Sequence, residues 1–498
     1  MVVGQDSGQA RCVTPIWVAS AFVIGFVLFL QLPAIPQAAP SPHKSASPAN
    51  LPDIVFVQTP LFVPGVLTQR FPQGSVIVRF TPSRGTPSLV RLTDGFFAAA
   101  DPQISFDGAK ILFSGQKAPG DHWQIWEMDS TGEHKRQITQ SLQDCLRAAY
   151  LPAGEIALTV EDHAASTSYL AVVKTDGSQL HRITFGNAPF VLETVLKDGR
   201  IVASAPWPLT ASGFSAAPRL LYTLRPDGTA LESFRCDHQE KGSQRDAAEL
   251  SDGSLVFVRT SATDTATGGR LMKFSQGALT ATPLGMPETA IAWPHQVSAN
   301  KLLIAKQSAQ GPKPGRFDLY LLDLPSGAHT ERLYDDPQLA SIQPTLVVSR
   351  AIPKHYWDTL DPTSVTGNLI SLNSYMSADA PHGRITTPIA RVRVFALDTA
   401  SGHQRNLGEA PVEADGSFFV KVPANLPVRF VLLDAQGQTI REERSWIWAR
   451  PGEQRGCAGC HGDKAVAPDN HWPQTLRRFD TPTPLGETDH GSATTQAR

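Results

Sequence analysis

Short apolar runs separated by tight-turn residues fill the chain between Asp53 and about Arg350. Segments such as EIALTV, SLVFVR, KLLIAK and DLYLLDL are each long enough for one strand and either alternate or run apolar throughout. Few stretches carry an apolar stripe of helical period. The plainest unit, DPQISFDGAKILFSG followed by WQIWEMDSTGEHKRQIT, reads as four short strands with tight turns at Asp107-Gly108 and Ser130-Thr131-Gly132. The first turn recurs at Ala153-Gly154, Asp198-Gly199, Asp252-Gly253 and Ala299-Asn300. The second recurs at Asp176-Gly177, Asp227-Gly228, Gln276-Gly277 and Ser326-Gly327. Successive members of each series lie 45 to 54 residues apart, and the two series interleave. Hairpin turns need Gly or Asn where φ is positive, which explains the residue types.

Four strands at such a period predict a β-propeller. Five complete units begin near Asp101, Asp144, Pro189, Gln244 and Trp293, and a sixth is split. Ser341–Ser349 (SIQPTLVVS) reads as an innermost strand with no partners after it. Asp53–Gln58, Ser75–Phe80 and Ser88–Thr93 read as three strands with no innermost strand before them. Joined, they make a sixth blade and remove the open edges. The units resemble TolB-type propeller repeats, through the Pro-x-x-Ser-x-Asp-Gly and aromatic-x-Met-Asp-x-x-Gly of the first complete unit. Trp123, Trp126 and Trp207 are most simply blade packing.

After Ile352-Pro353 the repeat stops. Gly367–Asn373 is a candidate strand, and Arg391–Leu397, Ser417–Val422 and Val428–Leu433 are clear ones, with turns at Asp415-Gly416 and Ala435-Gln436-Gly437. A small β-sandwich-like module follows from about Ser364 to Trp448. The expected fold class is mainly β, a six-bladed propeller followed by this module and a c-type haem-binding loop. The expected organisation is an export or anchor segment with linker over 1–50, the propeller over 51–352, the haem-bearing module over 353–480, and a disordered tail over 481–498.

The module leads through SWIWARPGEQRG into Cys457-Ala-Gly-Cys460-His461. Two cysteines at this spacing can bond both vinyl groups of one haem as thioethers, and the adjacent histidine can offer its imidazole to the iron. Gly456, Gly459 and Gly462 let the backbone approach the flat macrocycle. Zinc and thiol-redox readings compete, but no second ligand pair of similar spacing exists and the surroundings are not a βαβ unit. Alternation along the strand puts Trp446 and Trp448 on one side, walling the haem or filling the core.

The second axial ligand is less legible. No methionine follows His461, against the usual arrangement in electron-transfer cytochromes c. His471 is the local candidate; His490 lies in the tail, and Met376 and His382 in the module are further options. An open site is the remaining one. Arg477 and Arg478 are candidates for pairing with haem propionates. In the propeller, Cys236 and His238 (RCDHQ) are candidate ligands of a second metal, against an exposed loop histidine beside a buried cysteine. His295 starts an innermost strand, where packing or a hydrogen bond competes with ligation.

Composition fixes the compartment more than the chemistry. Lys+Arg 44 against Asp+Glu 46 gives no field for nucleic acid. Of five cysteines, Cys12, Cys145 and Cys236 are scattered and make no disulfide framework. Ile16 to Leu32 is an uncharged apolar run followed by a Pro/Ala/Ser-rich stretch, a signal peptide or a short membrane anchor. Both place the remainder in the periplasm, where bacterial c-type haem is attached.

The order propeller, β-module, SWIWARPGEQRGCAGCH, then PDNHWPQTLRR resembles the hydrazine synthase alpha-subunit family, most specifically in DGSFFVKVPANLPVRFVLLDAQG and PGEQRGCAGCH. The resemblance covers roughly residues 50 to 480. It implies a propeller and a haem-bearing middle domain, at whose haem the family enzyme makes hydrazine from nitric oxide and ammonium, in a complex with other haem subunits. This chain differs in showing one haem motif, and in having Ala465 where the family enzyme carries an iron-ligating tyrosine. The resemblance therefore implies a periplasmic haem protein of this architecture rather than hydrazine synthesis itself. Two function classes follow: a redox or small-molecule-binding haem centre fed by a partner redox protein, or a propeller that binds a protein or glycan with the haem as relay or structural element.

Overall fold

The computed structural model describes residues 51–60, 71–82, 87–209, 217–234, 242–260, 268–278, 280–285, 290–307, 316–324, 330–377, 380–459 and 471–486. The apolar run at 16–32, Cys12, Cys236, His238, Cys460, His461, Ala465 and His490 lie outside these. Among the described residues no helix is long and apolar enough to cross a membrane.

Among the described residues, strands gather into eight four-stranded sheets, six of which are propeller blades. The first five blades begin with the innermost strands Ala98–Ile104, Asp144–Leu151, Val191–Val195, Ser243–Glu249 and Ile291–Ser298. The sixth joins Ala340–Leu346 to Ile54–Thr59, Val76–Thr81 and Ser88–Arg91. The junction is antiparallel, with Val57 opposite Ile342. Strands such as Ile54–Thr59 are buried along their whole length, because blades pack face to face. Some of the turn glycines are required twice over. Gly177 has φ +88°, and an added Cβ would lie 2.4 Å from the Ile138 carbonyl of the preceding blade.

A second repeated feature carries no glycine. Innermost strands bulge at mid-length, and five of the bulge residues are left-handed non-glycines: Asp101, Arg147, Asp246, Trp293 and Gln343. Glu193 occupies the bulge of the third blade. The turned-out N–H groups of Asp101, Arg147 and Asp246 donate to the side chains of Gln343 (2.9 Å), Asp101 (3.3 Å) and Glu193 (2.8 Å), each on the preceding blade. Gln343 Nε2 donates back to Asp101 at 2.6 Å, and the Arg147 guanidinium lies 3.3 Å from Glu193 and 3.6 Å from Asp246. A ladder of polar groups thus stitches neighbouring blades together around the axis.

The module is two four-stranded sheets. One orders Gln454–Cys457, Thr366–Ser371, Phe418–Pro423 and Thr483–Pro484; the other orders Gln404–Pro411, Arg391–Leu397, Val428–Leu433 and Thr439–Glu442. Leu369, Val392, Val394, Val420, Leu432 and Leu485 fill the space between them. The sheet runs past the expected boundary at 480: Thr483 and Pro484 pair with Val420 and Lys421, and buried Leu485 closes the core. Two residues of strand carry too little pattern to be read from sequence.

The module docks on the outer flank of the second and third blades. Trp448 is fully buried between Phe185 and Phe190, at ring-centroid distances of 5.9 and 5.8 Å, within the core of those blades. That settles its role as interface core. Trp446 is also buried, with the Arg429 guanidinium 4.8 Å over its ring. Trp123 and Trp126 pack in the first blade, Trp126 edge-on to Phe96 at 5.0 Å.

Candidate haem-attachment corner

The strand that enters the Cys-x-x-Cys-His motif is fastened along its length. Gln454–Cys457 runs parallel to Thr366–Ser371, with Cys457 opposite Ser371, and the Leu372 N–H donates to the Cys457 carbonyl at 2.9 Å. Just upstream, three charged residues tie it to the third blade. Arg450 donates to the Asp227 carbonyl at 2.9 Å and to Asn425 Oδ1 at 2.5 Å. Glu453 accepts from the Ala230 N–H at 3.0 Å. Arg455 donates to the carbonyls of Leu231 (2.7 Å) and Trp448 (2.9 Å). Hydrogen bonds from a cation are the stronger kind, and half-buried ones fix a strand more firmly than exposed pairs do.

Beyond Cys457 the chain lies flat on the loop that follows Ser371. A Cβ added to Gly459 would stand 2.8 Å from both Cβ and O of Met376 and 3.0 Å from the Asn373 carbonyl. Only glycine lets the two backbones meet this closely. Burial pushes the Cys457 thiol above its ordinary pKa, with Arg455 acting the other way. Cys145 is buried in the second blade, where burial raises its pKa to about 11. It has no part in the corner.

The far end of the motif segment returns to the same place. His471 Nε2 lies 3.1 Å from Asp415 Oδ2, which also accepts from the Gln474 N–H at 2.8 Å, while Oδ1 accepts from the N–H and hydroxyl of Ser417. Burial pushes the Asp415 carboxyl up, but these donors outweigh it and hold the group below the usual range. Asp415-Gly416 in turn locks into the first loop, the Ser374 N–H donating to the Gly416 carbonyl at 2.8 Å. A Cβ on Gly416 would lie 2.8 Å from Asn373 Oδ1. Gly459 and His471 are therefore pinned to one corner, built from residues 373–376 and 413–417.

The expected site residues separate accordingly. Cys457, Met376 and His471 belong to this corner. His382 is an exposed residue at φ +56° in the turn Pro381–Gly383. Arg478 is engaged by Asp480 and Glu413, at 2.6 and 3.2 Å, whereas Arg477 is exposed. His295 lies in the propeller, where its Nε2 accepts from the Leu346 N–H at 3.4 Å. Sequence reasoning missed Asn373, Asp415 and Gly416 as supports of the site. The Asp-Gly turn was visible as a turn, but nothing local says which loop it grips.

Of the groups a c-type haem attachment needs, the described residues hold Cys457 at a strand end, with Gly459 laid against Met376, while Cys460 and His461 lie outside them. Residues 376–462 match the family described as hydrazine synthase alpha subunit middle domain. Over 107 residues the chain is 37% identical to hydrazine synthase subunit alpha of Kuenenia stuttgartiensis, a stretch that is 21% of this chain and 13% of that relative. The fold matches Kuenenia stuttgartiensis hydrazine synthase with a TM-score of 0.74 at 19% identity, over 86% of this chain and 72% of that one. TolB from Acinetobacter baumannii aligns with a TM-score of 0.42 at 12% identity, over 59% of this chain and 66% of its own.

Proposed function

Taking the chain as a relative of the hydrazine synthase alpha subunit, in middle domain and propeller fold alike, we propose that it is an exported c-type haem protein. Cys457 and Cys460 would hold one haem c through thioether bonds, and His461 would offer its imidazole to the iron. A haem held there supplies one-electron redox chemistry and a coordination position for a small molecule. The carrying observation is a coincidence of place: the matched segment begins at Met376, which packs on Gly459, and ends one residue past His461.

The chain's own groups do the positioning. Arg450, Glu453 and Arg455 hold the entering strand against the third blade, and the Asp415 carboxylate holds the returning end. Asp415 also occupies His471 Nε2, which favours an open second coordination position over a bis-histidine centre. A haem held there would suit the binding or conversion of a small molecule in the periplasm, with electrons supplied by a partner redox protein. The sequence resemblance sets Ala465 in the place of the family's iron-ligating tyrosine, which favours a chemistry other than hydrazine synthesis.

Expression with export in a host competent for c-type maturation tests the reading. The protein should carry a peroxidase-active band on a denaturing gel, and Cys457→Ala with Cys460→Ala should abolish it. Stain retained by the double variant overturns the assignment. Carbon monoxide should shift the Soret band of the reduced protein within seconds; a band that does not move overturns the open position.

A further inference from the structure

An open cleft of about 500 Å³ lies between the outer edge of the second blade and the module. Arg182, Phe185 and Gly186 form its propeller side, and Leu397, His403 and Arg405 lie across from them. The Arg182 guanidinium is held 4.4 Å over the Tyr169 ring and 5.5 Å over Phe185, donating through Nε to the Thr184 carbonyl at 2.5 Å and through Nη2 to Gly186 at 3.1 Å. Stacking and two backbone acceptors fix the plane of the group, so little side-chain entropy remains to be lost on binding. Arg405 stands opposite Ala396 in the module sheet and is exposed. Among the described residues neither arginine has a carboxylate within ion-pairing distance.

The cleft has one acid in its lining, Asp398, which is turned to its own loop and accepts from the N–H groups of Ala400 (2.9 Å) and Ser401 (3.3 Å). Two arginines without an ion pair among the described residues, and a histidine near Asp398, therefore line a cleft whose apolar side chains include the half-buried Phe185 and Leu426. Arginine suits carboxylate and phosphate because its planar fork matches them two bonds at a time. Junctions between domains are favoured places for such clefts.

We propose that this cleft binds a small organic anion, its carboxylate or phosphate on Arg182 and Arg405 and its apolar body against Phe185 and Leu426. The site is separate from the haem reading and does not rest on it. Isothermal titration of the full-length protein with benzoate and with phenylphosphate tests it. Saturable binding of at least one probe is expected, and the tighter of the two identifies the acid group. Arg405→Met, at an exposed position, should keep the wild-type melting temperature and weaken binding at least ten-fold, and Arg182→Met should weaken it further. Failure of both probes to saturate, or an Arg405→Met protein that binds like wild type, overturns the proposal.

Discussion

The propeller axis and the module corner both gather charged groups at a bend of the backbone, and they do so in opposite ways. Around the axis, Asp101, Arg147, Glu193 and Gln343 answer one another: each acceptor meets a donor from the adjacent blade, and Arg147 serves two carboxylates at once. Although burial acts against its charge, Glu193, Asp246 and Asp101 hold the Arg147 pKa above the ordinary value. At the corner, the polar groups point away from the motif and grip the scaffold, as Arg455 does on Leu231 and Asp415 on Ser417 and Gln474. A network that satisfies itself is a fastening. One that secures its own backbone and leaves a thiol and a glycine at the rim is prepared for something else.

The largest effect should come from the axis. Arg147→Ala removes the cation that the buried Glu193 and Asp246 carboxylates share, leaving Asp246 to Arg245 at 3.5 Å, a loss of up to about 3–5 kcal/mol. Urea unfolding should show it as a fall in midpoint, and an unchanged midpoint would break the contrast. Gly459→Ala should do the reverse, leaving the melting temperature of the propeller intact while reducing covalent haem, read as haem absorbance per protein. Full haem loading in that variant would mean the close approach to Met376 is not needed.

The acid response follows next. Burial, and then Arg350, push the His295 pKa down to about 4, whereas an unfolded histidine titrates near ~6.5. Between these values the unfolded chain binds a proton that the folded chain does not. This stability is fully present above about pH 6.5 and is lost as the pH falls toward 4, by about 2–3 kcal/mol. His295→Gln should flatten the stability profile over that window; an equally steep profile would show that other groups carry it. The smallest effect belongs to His471→Ala, which removes a pair exposed to solvent and costs about 0.2–1 kcal/mol. The reduced and oxidised spectra should not change, and a low-spin to high-spin conversion would make His471 an iron ligand.

Much of the fold was legible because its turns are stereotyped. Gly108, Gly177 and Gly228 all have positive φ, so the chemistry that forces glycine there also writes the repeat into the sequence. The axis was not legible: Asp101, Arg147 and Asp246 take left-handed conformations that residue type does not announce, held there by acceptors on other blades. In the module, Arg391–Leu397 and Val428–Leu433 alternate clearly. Gln404–Pro411 is half exposed, and its QRNLGEA pattern gave no signal. Gln454–Cys457 reads as loop because its four residues carry no apolar face, and its pairing with Thr366–Ser371 is long-range and parallel. The motif itself was plain from spacing; the corner that holds it depends on tertiary contacts between Asn373, Asp415 and Gly416.

The sixth blade has a consequence in time. Ile54–Thr59 emerges during synthesis well before its inner neighbour Ala340–Leu346, which comes roughly 285 residues later. Closing so long a loop is slow and entropically costly, and no local turn helps to find the register. Until the last blade arrives, the ring stands open with two sticky edges, and any second copy in the same state offers the missing strand. Correct closure therefore depends on each chain meeting its own last blade before it meets a second open ring.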